Sequence, residues 1–266
     1  MGVVNATPDS FSDGGRYLEP ERAVAQAERL AEEGADLIDL GGESTRPGAG
    51  PVDAAEERRR VVPVIERLRA AGFALPISVD TTKVEVARAA LEAGADLVND
   101  VTGLRDPLLA ALVARAGVPV VLMHTRGTPR EMAGLAVYAD LLGEVTEELR
   151  AALGRAAAAG IAADRTILDP GLGFAKTPAQ TVELLARVGA LKALGRPLLV
   201  GPSRKRFIGE LTGATIEARL PGTLAAVTAC VLFGVELIRV HDVAAARQAS
   251  QVAQALRNAG GSLSVR

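Results

Sequence analysis

The stretch PISVDTTKVEVARAALEAGADLVND, residues 76–100, decides the fold. It opens on a β-branched run that closes on Asp80, at 76–80, and continues into VEVARAALEAGA. There Val86, Ala89, Ala90 and Ala93 recur at helical spacing on one face. Gly94 follows as a stop signal, and GAD (94–96) leads into a second short apolar run, DLVND. Strand, helix and strand in so little chain describe a βαβ unit, whose two strands lie parallel.

The same unit repeats outward in both directions. GAD recurs at 34–36, again at the passage from a helical pattern into a strand. Candidate strands are GVVN (2–5), DLIDL (36–40), PISVD (76–80), DLVND (96–100), PVVLMH (119–124), RTILD (165–169), PLLVG (197–201) and ELIRV (236–240). Helical patterns such as PERAVAQAERLAEEGA and AAEERRRVVPVIERLRAAG lie between them, with Pro20 placed to start one and Gly34, Gly72 and Gly160 placed to end others. Strands apolar on both faces and linked by helices mean a parallel sheet. Eight units favour a closed (β/α)8 TIM barrel, although a large doubly wound open sheet has similar periodicity. No linker or low-complexity tract divides the chain, so residues 1–266 read as a single domain. The first strand begins almost at Met1, which predicts a barrel bottom left partly uncovered.

Composition excludes several classes. A formal net charge of −2 argues against nucleic acid, whose binders carry a concentrated basic face. The one cysteine, Cys230, rules out an internal disulfide, and its apolar surroundings (LAAVTACVLFG) read as a small buried hydrophobe. There is no signal-peptide pattern and no long uncharged apolar run, so a soluble cytoplasmic protein with no membrane partner is expected.

Scarce polar residues then locate a site. The strand exits carry, in order, Asn5; Asp39 before GGESTRPG; Asp80; Asn99 and Asp100; His124; Asp169; Gly201 before PSRKR; and Arg239, His241 and Asp242. Both histidines and two of the three asparagines fall there. Any one alone is more often a satisfied core or loop residue, but together they mark the C-terminal edge of a parallel barrel, its functional face.

One side of this edge reads as anion-binding. GESTRPGAG sets Thr45 and Arg46 in a glycine-rich loop, and Ser203, Arg204 and Lys205 follow strand seven, where barrels commonly hold phosphate. A solvated basic turn is an equal reading of SRKR alone. The other side suits a flat polar heterocycle. Asp80, Asn99 and Asp169 are expected to point inward at well-separated positions, where a carboxylate accepts paired N–H bonds from such a ring. Met123 and Phe174 would cover its faces, with core packing the alternative for Met123. The histidines lack zinc-site spacing, whereas Mg2+ could take the Asn5 oxygen beside a phosphorylated substrate. No GxSxG elbow is present, and GLGF (171–174) is not a dinucleotide fingerprint.

NATPDSFSDGG (5–15), DLGGESTRPG (39–48), SVDTTK (78–83), VND (98–100), MHTRGTP (123–129), LDPGLGFAKT (168–177), VGPSRKRFIG (200–209) and RVHDV (239–243) resemble, in that order, the dihydropteroate synthase family. The resemblance spans nearly the whole chain. It implies that 7,8-dihydropterin-6-ylmethyl pyrophosphate and p-aminobenzoate are joined, giving 7,8-dihydropteroate and pyrophosphate in folate synthesis. It places Asp80, Asn99, Asp169 and Lys205 on the pterin, and Asn5, Arg46, Arg239 and His241 on the pyrophosphate, with Asn5 also on Mg2+. Phe11, Thr45, Pro47 and the segment Ser203–Lys205 would frame the aminobenzoate, where sulfonamides should compete.

The implied mechanism is SN1-like: Asp80, Arg46, Lys205 and His241 act as the catalytic set, and Thr7–Arg16 and Ser44–Pro51 close over the substrates. The family also suggests a homodimer through helices near the C-terminus, with which the apolar 224–233 segment agrees. Two positions depart from the family: Arg206 stands where a small Ser is common, and Ala6 where Val is common. Three rivals share some features. A methyltetrahydrofolate-binding barrel would need no pyrophosphate pocket, a non-catalytic pterin-binding paralogue should have damaged first and second loops, and a triosephosphate-type barrel gives no reason for those loop motifs.

Overall fold

The structure is a computed structural model that describes residues 1–6, 19–43 and 50–260. Eight strands alternate with helices in the order read from the sequence. The strands are β1 (Gly2–Asn5), β2 (Ile38–Gly41), β3 (Ile77–Asp80), β4 (Leu97–Asp100), β5 (Val120–Met123), β6 (Thr166–Asp169), β7 (Leu199–Val200) and β8 (Leu237–Ile238). Helices α1 (Glu19–Glu32), α2 (Ala54–Ala70), α3 (Val84–Glu92), α4 (Pro107–Ala116), α5 (Leu141–Ala158) and α6 (Pro178–Ala186) each follow one strand. Two helices, α7 (Arg206–Thr212) and α8 (Leu220–Leu232), follow β7, and α9 (Val243–Gly260) follows β8.

All strand pairs are parallel, β1 to β6 in sequence order and β7 beside β8. Two parallel bridges close the ring, Leu168 to Leu198 and Gly2 to Val240. Backbone bonds reinforce each join: Leu168 N–H donates to the Pro197 carbonyl at 2.9 Å, and Val3 N–H to Val240 at 3.0 Å. The sheet is therefore a closed barrel, and the open doubly wound alternative is excluded.

Local chemistry sets the helix ends. Asp53 accepts from Glu56 N–H at the start of α2, Asp106 caps α4 ahead of Pro107, and Thr177 with Gln180 forms a capping box on α6. Gly34, Gly72, Gly94 and Gly160 all adopt positive φ beyond helix ends, as their stop-signal reading requires. In α3 the buried stripe is Val86, Ala87 and Ala90. Ala89 and Ala93 are only half-buried, so the stripe is rotated slightly from the expected one.

The core has two compartments. Most buried side chains lie between the barrel and its helices, among them Leu30, Ile38, Leu40, Ile65, Leu122 and Leu149. Inside the barrel, Leu97, Val121 and Leu199 pack with the half-buried Met1, Leu37, Ile167 and Leu237. Successive strand side chains alternate between faces, so residues two further along point into the same interior. Those residues are Val3, Asp39, Asn99, Met123, Asp169, Gly201 and Arg239. The barrel is thus apolar at its base and polar at its mouth. Cys230 is buried in α8, as its apolar context predicts. Among the described residues, no helix is long and apolar enough to cross a membrane.

Candidate active site

Asp39 is the buried centre of the polar layer, fully shielded from solvent. Its Oδ2 accepts from Arg239 Nε at 2.6 Å and from Asn99 Nδ2 at 3.2 Å, while its Oδ1 has no hydrogen-bond partner. The same guanidinium donates to Asp80 Oδ2 at 3.1 Å. Arg239 therefore bridges two carboxylates, and its pKa is raised: burial pulls it down, but Asp39 and Asp80 outweigh that. One cation cannot fully compensate two buried anions. Burial, followed by the charge of Asp39, lifts the Asp80 carboxyl to about 7.

Two expectations change here. Asp80 and Asn99 are not well separated, because β3 and β4 place them directly opposite each other. Arg239, expected beside pyrophosphate, is committed to Asp39 and Asp80 and so lies within the group assigned to the pterin. The reason is register: its inward direction from β8 carries the side chain across the barrel mouth to β2 and β3.

The opposite wall is built by β6 and the segment after β7. Asp169 is buried, and its Oδ1 accepts the Gly171 N–H at 2.7 Å. Burial raises its pKa, opposed by that N–H and by Lys205, Arg239 and Lys176. The Lys205 ammonium stands 4.6 Å from the centre of the Phe174 ring, a cation–π contact, and burial lowers its pKa to about 8. Gly173, at positive φ, leaves room for that side chain: a Cβ there would lie 3.6 Å from Lys205 Cδ. Met123 is buried against Gly171, a contact that core packing alone explains, although it also borders the mouth.

The exits of β7 and β8 are fastened together. Ser203 Oγ accepts the His241 N–H at 3.3 Å and lies 2.9 Å from His241 Nδ1. The hydroxyl can also donate to Nδ1, so Ser203 fixes the orientation of the imidazole at the barrel rim. Beside it, Arg204 forms a two-point pair with Asp242 at 2.6 and 3.1 Å. The pairing offsets the charge of the arginine. Gly201 lies against Arg239, where a Cβ would be 3.8 Å from the arginine Cβ. His241 and Asn5 line one cavity of about 430 Å3 at the barrel rim, with Arg29, Arg204 and the start of α9. Glu33 and Asp242 line it too, paired with Arg29 and Arg204, and Glu33 accepts the Ala244 N–H at the start of α9 at 3.4 Å, so the cavity carries charges of both signs.

Thr45 and Arg46 lie outside the described residues, as do Phe11, Pro47 and nearly all of the two loops expected to close. Arg206 is largely exposed and pairs with Glu210, turned toward α7. Ala6 is buried, with its N–H bonded to the Gly41 carbonyl.

Residues 1–241 match the pterin-binding enzyme family. A dihydropteroate synthase from Synechocystis is 47% identical over 258 residues, covering 96% of this chain and 89% of that protein.

The chain belongs to the dihydropteroate synthase family.

It is accordingly a transferase of folate synthesis. The Xanthomonas albilineans dihydropteroate synthase solved with 4-aminobenzoic acid is 53% identical, with a TM-score of 0.91 over 97% of this chain and 92% of that one. The same enzyme in complex with 7,8-dihydropteroate is 50% identical with a TM-score of 0.88, again covering 97% and 92%.

Two residues of this family member escaped the sequence reading. Asp39 was visible at a strand exit and shares the inward parity of Leu37, but its partner Arg239 is 200 residues away. Lys176 is buried, with its ammonium on His124 Nδ1 at 2.8 Å. The only available signal was that lysine is scarce in this chain.

Proposed function

We propose that this barrel mouth binds 7,8-dihydropterin-6-ylmethyl pyrophosphate and p-aminobenzoate, and joins them by ionisation first and amine attack second. The observation that supports this reading is that two chemistries share one edge. The strand exits carry a shielded carboxylate layer, Asp39, Asp80 and Asp169, and also a rim cavity lined by His241, Asn5, two paired arginines and the start of α9. Asp80, Asn99 and Asp169 take the pterin edge, and Lys205 and Phe174 sit beside its ring. His241, Asn5 and Arg46 receive the pyrophosphate, Thr45 and Ser203 border the aminobenzoate, and Gly201 leaves space for the ring.

In the first step the C–O bond of the methylene breaks and its electron pair leaves on pyrophosphate. His241, oriented by its hydrogen bonds with Ser203, borders the departing oxygens, and Arg46 neutralises their charge. The positive charge left on the pterin methylene spreads into the electron-rich ring. Asp80 offsets it, and a cationic pterin in turn favours the ionised form of Asp80 against burial and Asp39. The aminobenzoate nitrogen then forms the C–N bond and loses a proton. No side chain is needed as a covalent nucleophile.

Magnesium fits as a companion of the substrate. Among the described residues no group of three His, Cys, Asp or Glu could hold a metal; Asn5 would offer one neutral oxygen and the pyrophosphate would offer the others. When bound, the cation would contribute charge neutralisation to the leaving group. Homodimerisation through the C-terminal helices is part of this reading. It is supported by Val252 and Leu256, each 58% exposed on α9 one turn apart. The cytoplasm is the expected compartment.

Positional isotope exchange tests the order of steps. With 18O in the bridging position of the pterin pyrophosphate and no productive amine, reversible ionisation scrambles the label to non-bridging positions. Retention of the label, with catalysis otherwise intact, contradicts ionisation before attack.

A further inference from the structure

Lys176 has an unusual setting for a lysine outside the substrate-contacting set. It is only 7% exposed and stands at the end of the segment that follows β6. Its ammonium donates to the Gly171 carbonyl at 3.1 Å and the Phe174 carbonyl at 3.0 Å, and approaches His124 Nδ1 at 2.8 Å. Burial lowers its pKa to about 7, against the charges of Asp169 and Glu148, and in the ammonium form three donors meet three neutral acceptors. His124 belongs to the exit of β5, so one side chain ties that exit to the turn after β6.

That turn needs the restraint. Gly171 and Gly173 have φ of 66° and 78°, and Ala175, an L-residue with a side chain, has φ of 47°. A backbone with three left-handed residues in five holds its shape only when its surroundings fix it. Apart from Lys176, Tyr138 OH donates to the Ala175 carbonyl at 2.9 Å. Both functional products of the turn depend on this shape. Gly171 points its N–H at Asp169, and Phe174 presents its ring to Lys205.

The neighbouring imidazole is adapted to an ammonium donor. His124 is kept neutral, its pKa lowered to about 2, by burial and then by Lys176 and Arg126. Its Nδ1 can therefore accept from Lys176, and its Nε2 lies 3.2 Å from Glu148, which is itself paired with Arg126.

We propose that Lys176 is a positioning residue of the pterin subsite, holding the Gly171–Ala175 turn so that Asp169 and Phe174 keep their places. This rests on the reading of Asp169 and Phe174 as pterin contacts. Lys176 touches no reacting atom, and its effect passes through the turn. The rim cavity at Asn5 and His241 has different walls, so it does not depend on Lys176.

The test uses Lys176→Met, which keeps most of the side-chain volume and removes the donors. Calorimetric titration with 6-hydroxymethyl-7,8-dihydropterin and, separately, with pyrophosphate reads the two subsites. Charge-assisted hydrogen bonds of this kind predict about a tenfold to hundredfold loss of pterin affinity, with pyrophosphate affinity within about twofold of the unaltered enzyme. Equal loss of both, or unchanged pterin affinity, overturns the proposal. Absence of pterin binding by the unaltered enzyme would instead overturn the reading beneath it. If the variant does not fold, the unaltered enzyme still decides. It has four lysines, 83, 176, 192 and 205, so 15N-lysine labelling gives few ammonium signals. The Lys176 signal, protected from exchange, should shift when pterin binds. A signal indifferent to saturating pterin contradicts a positioning role.

Discussion

Replacing Asp80 with Asn should make the ligand-free enzyme more stable and nearly inactive. The carboxyl ionises near 7 in the folded chain against an ordinary value of 3.8, because it is buried beside Asp39. Ionised, it costs the folded state about 4 kcal/mol at most. Its side chain is only 9% exposed, so solvent screening removes little of that cost. Arg239 is shared, and Asn retains an oxygen that can accept from it, so roughly half of the ceiling, about 2 kcal/mol, is a reasonable net gain. At 2–4 °C per kcal/mol this is a rise of roughly 4–8 °C in thermal midpoint. The sign with pH follows from the raised folded pKa. Stability associated with Asp80 is fully present below 3.8 and is lost as pH rises through about 7. The advantage of the variant should therefore be small near pH 4, grow through the interval and level off above pH 7. Thermal unfolding of both proteins across this range, with turnover at pH 8, provides the assay. A midpoint at pH 8 equal to or below that of the unaltered enzyme, or a difference independent of pH, would refute the electrostatic account of Asp80.

Three other variants follow from the site. Asp169→Asn loses a charged acceptor and should weaken pterin binding about tenfold or more, measured by calorimetry. Unchanged affinity would remove Asp169 from the pterin edge. Arg46→Ala should lower turnover about a hundredfold at saturating pterin pyrophosphate, and near-normal rates would take it out of the leaving-group site. Gly171→Ala would set a Cβ 2.0 Å from the His124 carbonyl oxygen at a φ of 66°, so a loss of about 3 kcal/mol or more is expected in denaturant titration. A variant as stable as the original would show that this turn relaxes easily.

The sequence reveals the fold through features that are local. Each βα unit writes its own strand, helix and glycine stop, so GVVN is found at 2–5 and the other strands within a residue or two of their expected bounds. Closure was favoured by the count of eight units, but the contacts that make it were not legible, because the bonds that join β8 to β1 link Val240 to residues at the other end of the chain. The site follows the same division. Strand-exit position identified Asp80, Asn99, Asp169 and His241, since parity and place are local properties. It could not show that Arg239 turns toward Asp39 and Asp80, nor that Asp39 is the buried anchor of the layer. Nor could it show that Asp242 pairs with Arg204 at the exits of β7 and β8. Lys176 is the clearest case of the limit: its chemistry lies in two backbone carbonyls and a histidine 52 residues earlier, which no spacing rule connects.

The most direct test of the proposed reaction is a single incubation. The enzyme is mixed with 7,8-dihydropterin-6-ylmethyl pyrophosphate and Mg2+, with and without p-aminobenzoate, while pyrophosphate is followed and the pterin product is identified by mass. The expected result is 7,8-dihydropteroate formed in step with pyrophosphate, and only when p-aminobenzoate is present. Tight pterin binding without any such product would contradict it.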